Sequence, residues 1–309
     1  MTTEALAVPV PPAARSRSRP RDGNTGPVLV VVVAILAIWY GAAVLMNWQG
    51  TADAFQRGGE ERSTAEIIAA TLEQERPMLP APHQILVELK KTVIDTPVTS
   101  RRSLLFHAWV TLSSTLLGFG IGALLGMVLA VLIVHVRTLE RSLMPWIISS
   151  QTIPILAIAP IVIVVLGSIG ITGLLPKSII SAYLCFFPVT ISMVKGLTSP
   201  DPMQRDLMRT YSASQVQTFW KLRLPASLPY LFAGLKVAIA ISLVGAIVGE
   251  LPTGAQAGLG ARLLAGSYYG QTIQIWAALV GAAALASILV AVVGLAERAV
   301  NRRTGAHAS

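Results

Sequence analysis

The sequence predicts an all-α membrane protein with six transmembrane helices, on three observations. Of its 309 residues 53% are hydrophobic and only 13% charged, where an ordinary soluble domain carries about 25% charged residues. Nearly charge-free runs recur along the chain, and roughly 20 residues rising about 1.5 Å each cross a hydrocarbon core about 30 Å thick. The bases, finally, gather in alternate connecting segments, as the positive-inside rule requires of a polytopic chain. The net charge of +9 therefore reports topology, and no nucleic-acid partner is expected. Cys185, alone and inside an apolar run, excludes a disulfide framework and a multi-cysteine metal site and is expected to be a packing residue.

The elements follow in order. Residues 1–26, with "VPVPPAARSRSRPRDGNTG", are rich in Pro, Arg and Ser and read as a disordered cytoplasmic tail. Residues 27–46 form the first span; a cleaved secretory signal is the competing reading, but the apolar core is too long for one and no small-x-small cleavage site follows. Residues 47–103 are an external segment in which "STAEIIAATLEQE" and "APHQILVELKKTVIDT" have helical spacing and lie along the surface. The remainder, 104–297, is a core of five spans with a loop at 196–230, and 298–309 is a second cytoplasmic tail. Within the core the spans are placed at about 103–136, 144–165, 178–194, 231–249 and 272–296. Pro145, Pro154 and Pro160 are expected to kink the 144–165 span, which "GSIGITG" ends.

Orientation comes from the short loops. With the N-terminus inside, Arg137, Arg141, Lys195, Arg205, Arg209, Lys221, Arg223, Arg298, Arg302 and Arg303 are all cytoplasmic, as are the four arginines of the N-terminal tail. Outer segments balance bases with acids, so both termini are expected in the cytoplasm.

That count places "RDLMRTYSASQVQTFWKLRLPASLP", Arg205 to Pro229, at the cytoplasmic face. Ser199 or Asp201 can cap a helix with proline in its first turn. Leu207, Met208 and Tyr211 cluster on one face, Val216, Phe219, Trp220 and Leu222 continue an apolar surface, and Pro225 and Pro229 are expected to end it. Two readings fit: an apolar knob with basic flanks that docks into a groove on another protein, or an amphipathic helix lying on lipid headgroups.

The same segment resembles the cytoplasmic "EAA" loop of ABC-importer permeases, whose pattern is E-A-A, three residues, Gly, nine residues, then I-x-L-P. Asp206, Leu207 and Met208 stand at the E-A-A positions, Ser212 at the Gly, and "LRLP", Leu222 to Pro225, at the end. Further similarity runs through "HAWVTLSSTLLGFGIGALLG", "LERSLMPWIISSQTIPILAIAPIVIVVLG", "FFPVTISMVKGL" and "LPASLPYLFAGLKVAIAISLVGAIVGEL". Together these resemble the sulfonate, taurine, nitrate, pyrimidine-precursor and riboflavin branch of those permeases, and "ELPTGAQAGLGARLLAGSYYGQTIQIW" leans toward the pyrimidine-precursor or riboflavin-like members.

The resemblance implies a type I ABC-importer permease bundle of the bacterial inner membrane, working as a homodimer with a cytoplasmic ATPase dimer and an external solute-binding protein. It assigns ATPase coupling to Asp206, Leu207, Met208, Tyr211, Ser212, Phe219, Leu224 and Pro225. ATP and magnesium would sit on the partner ATPase, with no cofactor in this chain. Indeed no G-x-x-x-x-G-K-[ST] phosphate loop occurs here. Ser212 departs from the pattern: either its turn keeps φ negative or it stores strain.

Two other classes fit less well. An ion-coupled transporter needs an ionisable relay at mid-membrane, and the spans offer little beyond Lys236, expected to snorkel inward, and Glu250 at an outer end. An intramembrane enzyme has His107 and His135 as its best candidates, but on one helix they stand about 42 Å apart. Both are read as interface residues. Gly118, Gly122 and Gly126, four apart, predict close helix packing. Ser149, Ser150, Gln151, Thr152 and Pro154 form the most polar part of any span and are candidates for the pathway lining. Glu250 either pairs with Arg262 or backbone N–H groups as a structural clasp, or stands with Gln256 at the outer gate.

Overall fold

The computed structural model describes residues 25–59, 62–252 and 256–304; the expected tail before residue 25 and the last five residues lie outside them. Twelve α-helices are described, α1 (Thr25–Arg57), α2 (Thr64–Leu72), α3 (Pro82–Lys90), α4 (Leu104–His135), α5 (Arg137–Ser150), α6 (Ile155–Ser168), α7 (Leu174–Thr198), α8 (Pro202–Thr210), α9 (Gln215–Thr218), α10 (Leu224–Glu250), α11 (Leu259–Tyr268) and α12 (Thr272–Thr304). π-Helical turns at Lys91–Asp95 and Phe219–Arg223 extend α3 and join α9 to α10. Five helices are individually long and apolar enough to cross a membrane, and the bent pair α5–α6 supplies the material of a sixth crossing.

The core is α4, α7 and α10. Small residues let these backbones approach: a Cβ on Gly122 would lie 2.7 Å from the Ala182 carbonyl, and one on Gly126 2.7 Å from that of Phe186. The predicted glycine stripe of α4 is thus the seam against α7, where backbone proximity and dispersion replace the hydrophobic drive that lipid removes. Hydroxyls tie α10 to both of these helices. Ser181 Oγ donates to the Ser242 carbonyl at 2.7 Å, and Ser242 Oγ donates to the Thr115 carbonyl at 3.0 Å. Cys185, fully buried beside Ala123, Val189 and Ala238, is a packing residue.

The first helix is peripheral and overruns its predicted end at residue 46 by about three turns, reaching Arg57. It is clipped to the core through the segment 77–80. Asn47 donates to the Leu79 carbonyl and accepts from Met78 N–H, at 2.9 and 2.7 Å. Trp39 donates to the Pro80 carbonyl, and Thr272 of α12 donates to that of Pro77. Both helices expected between 47 and 103 form. Ser63 and Glu66 make a capping box at the start of α2.

Four features differ from the reading of the sequence. The 144–165 stretch is not one kinked span: α5 and α6 meet at 97° across residues 151–154. Proline at 154 has no N–H to donate and disfavours helix at the residue before it, so the turn ends there. Pro225 and Pro229 do not end the loop helix, since Gln215–Glu250 is one continuous element. The ring of Pro225 would crowd the carbonyl four residues back, but the π turn, in which Leu224 N–H bonds to the Phe219 carbonyl, widens the ladder at that point. The last span does not stop at 296, and α12 carries the expected tail as helix to Thr304. Lys236 does not snorkel alone; it is ion-paired with Glu297 of α12.

Candidate functional site

Two clusters of helix ends define the two faces of the bundle. His135 at the end of α4 packs edge-on against Phe219 with ring centroids 5.4 Å apart, so the C-terminus of α4 and the 199–223 loop share one face. On the other face the start of α4, the start of α7, the end of α10 and the loop before α11 are tied together by His107, Lys177 and Glu250.

The loop is built from its own capping signals. Asp201 accepts from Met203 N–H at 3.1 Å and Gln204 returns a bond to Asp201 N–H, starting α8; Ser214 and Gln217 repeat the device for α9. Asp206 has no part in this cap. It lies in the second turn and meets Arg209 at 3.4 Å, an exposed pair of small worth. Between α8 and α9 Ser212 has φ 53, the left-handed region that glycine occupies freely. The strained alternative is the one realised, at a cost of about 1 kcal/mol.

The predicted coupling residues separate into two groups. Leu207 and Tyr211 are exposed at 55% and 77%, with Met203, Val216 and Trp220 extending the apolar surface around them. Met208 is half-buried. Phe219 and Leu224 instead pack inward against the core cluster of α4, α7 and α10, so they root the loop and do not belong to its outer face. Exposed Pro225 stands in the first turn of α10. Beside the apolar surface a cleft of about 360 Å³ is lined by Arg205, Asp206, Arg209 and Arg223, among others.

At the opposite face Glu250 has no exposed surface. Its carboxylate accepts from Thr111 Oγ1 at 2.9 Å and from Gly260 N–H at 2.9 Å, with Lys177 Nζ at 4.0 Å. Thr111 Oγ1 also accepts from Leu259 N–H, and His107 Nδ1 accepts from Gly258 N–H at 3.0 Å. That bond fixes the tautomer, so His107 Nε2–H donates to the Arg101 carbonyl at 2.8 Å. Lys177 Nζ donates to the Ala257 carbonyl at 3.1 Å. Three spans thereby hold the backbone of 257–260. Gly258, at φ 127, lies so close to the Glu250 carboxylate that a Cβ there would collide with it.

The expected pair of Glu250 with Arg262 is not formed. Arg262 sits on α11, where burial lowers its pKa and the nearby charge of Glu88 opposes that shift. Gln256 is exposed and lines, with Lys177 and Thr172, a cavity of about 540 Å³ between α6, α7 and α10; Glu250 lies behind this wall. His107 is an interhelical residue, as expected. The parts played by Thr111 and Lys177 were not read from the sequence, although an isolated base and an isolated acid at neighbouring span ends were a usable signal.

The α5–α6 break forms a third cluster. Gln151, Thr152 and Pro154 are exposed on it. Thr152 Oγ1 donates to the Ser149 carbonyl, while Tyr183 of α7 donates to that of Ser150. Ala159 is the one described residue of α6 that is buried.

Residues 122–306 match the family described as binding-protein-dependent transport system inner membrane component. Among similar proteins, the formylaminopyrimidine transport permease of Halalkalibacterium halodurans is 33% identical over 184 residues, covering 59% of this chain and 68% of that one. The riboflavin transport system permease of Chloroflexus aurantiacus is 32% identical over 196 residues, 63% of this chain and 71% of the relative.

Proposed function

The chain belongs to the inner membrane components of binding-protein-dependent transport systems, and from that premise we propose that it couples ATP hydrolysis to solute movement through the loop 196–230. It is the non-catalytic permease subunit of an ABC importer. In the finer reading two copies pair about a two-fold axis, a cytoplasmic ATPase dimer receives the two loops, and an external binding protein delivers the solute. The solute is a small polar heterocycle of the formylaminopyrimidine or riboflavin kind, by analogy with the relatives that carry those names.

One observation carries the coupling reading. Gln215–Glu250 is a single helix of 36 residues, about 54 Å long at 1.5 Å per residue, joining the exposed apolar surface at one face to the clasp at the other. A push on Leu207, Met208 and Tyr211 reaches the clasp as rigid-body motion of α10, with Phe219 and Leu224 as the root that prevents the loop from slipping. The basic cleft between α8 and α9 adds charge that acidic partner residues would match.

The α5–α6 break supports the paired arrangement. At 14 residues α6 reaches about 21 Å, short of a hydrocarbon core of about 30 Å, and its polar break faces away from its own chain. A second copy and a water-filled path between the two would accommodate both features, with Gln151, Thr152 and Pro154 on the lining.

The test is the triple substitution Leu207→Asp, Met208→Asp and Tyr211→Asp. Membrane insertion and dimerisation are expected to stay intact, because these residues do not touch the span core, while co-purified ATPase and uptake fall at least tenfold. Wild-type ATPase recovery and uptake in the triple variant would overturn the assignment.

A further inference from the structure

We propose that the groove between α3, the start of α4 and α12 is a binding site for one anionic phospholipid, in the leaflet opposite the coupling loop. The groove holds about 560 Å³ and its lining is almost wholly apolar: Leu86, Leu89 and Val93 from the 82–95 segment, Leu105 from the start of α4, Ala284 and Ile288 from α12. From Val280 to Ile288 it follows α12 for about 12 Å, most of the roughly 15 Å depth of one leaflet.

Charge selects the headgroup. Lys90 lies within the groove lining, in the same stripe of the 82–95 segment as Leu86 and Ile94, which are exposed at 65% and 73%. Among the described residues no carboxylate is ion-paired with Lys90. Glu88, its nearest acid on the helix, is near enough to Arg262 for its charge to act on that guanidinium. Exposed Lys91 follows, and exposed Arg101 and Arg102 precede the α4 residues of the groove. A base on an apolar stripe needs an anion at the height where the stripe meets water, and a lipid phosphate with a further negative charge supplies it. A lysine that merely reaches for water would show no preference among lipids.

The site is independent of the solute carried. It is tested by native mass spectrometry of the full-length permease in detergent, titrated with phosphatidylglycerol or phosphatidylcholine. One phosphatidylglycerol per protomer is expected to bind about tenfold more tightly than phosphatidylcholine. Lys90→Ala, at an exposed position that leaves the fold intact, is expected to abolish that preference, and Ala284→Trp, which fills the groove, to remove the bound lipid. Equal affinity for the two lipids in the unaltered protein would overturn the proposal, as would an unchanged preference in Lys90→Ala. Loss of the dimer with retention of lipid in Ala284→Trp would also overturn it, by giving the groove to a second copy of the chain.

Discussion

Glu250 is held by a hydroxyl and a backbone N–H, with an ammonium 4.0 Å away, so removing its charge leaves partners that still fit an amide only in part. Glu250→Gln is expected to lower thermal stability, and Thr111→Val to do the same, because Leu259 N–H then loses its acceptor in a buried place. A buried donor left unmade costs about 1–3 kcal/mol, and the two changes act on one network, so the double variant should fall short of their sum. Arg262→Ala should add independently to Glu250→Gln, since the two side chains do not meet. Full coupling of Arg262 to Glu250 in such a cycle, or unchanged melting in both Glu250→Gln and Thr111→Val, would refute the clasp. The acid itself was legible in the sequence as the one charge at the end of an apolar helix. A backbone N–H as its partner was also among the readings, and Gly260 supplies it from 10 residues on; Thr111 was not, because it stands 139 residues away and only the packing of α4 on α10 brings it there.

Between helices, the seam of α4 and α7 sets a sharper limit on substitution than hydropathy does. Gly122→Val is expected to destabilise by about 1–3 kcal/mol, because its Cβ would press on the Ala182 carbonyl, a backbone atom that cannot turn aside. Gly120→Val, on the same helix with nothing within 4 Å of its Cβ, should be nearly neutral. Equal melting temperatures for the two variants in detergent would show that the stripe is not the seam. The period of four between these glycines made this contact readable in advance, and the five long apolar helices and the Asp201 loop cap were readable for similar local reasons. The 97° break and the π turn were not. Proline at 154 and proline at 225 carry the same local signal, yet one ends a helix and the other continues it. What separates them is tertiary: Phe219 and Leu224 are rooted against the core, whereas residues 151–154 are exposed. The helix α11 lies between the spans placed at 231–249 and 272–296, where no element was set; its Gly260 and Gly266 serve close packing against α10 and α12.

The whole molecule has two faces whose identity the packing leaves open and for which the charge pattern favours one assignment. His135, Phe219 and the basic loop lie on one face; His107, Lys177 and Glu250 lie on the other. Placing the first in the cytoplasm puts Arg137, Arg141, Arg205, Arg209 and Arg223 inside, in short segments where such bases govern orientation. The chain lends itself to cysteine labelling, because its only cysteine is fully buried and gives little background. Single cysteines at exposed Gly58, Gly170 and Tyr269 are expected to react with a membrane-impermeant maleimide in intact cells, and cysteines at exposed Ser142, Gln204 and Arg302 only after the membrane is opened. The six positions alternate along the chain, so they also test whether α5 and α6 together make one crossing: Ser142 and Gly170 must fall on opposite sides. Labelling of both from one side would make the bent pair a re-entrant loop and leave five spans. External labelling at Gln204 would do more, since a loop outside the cell cannot meet an ATPase that works within it.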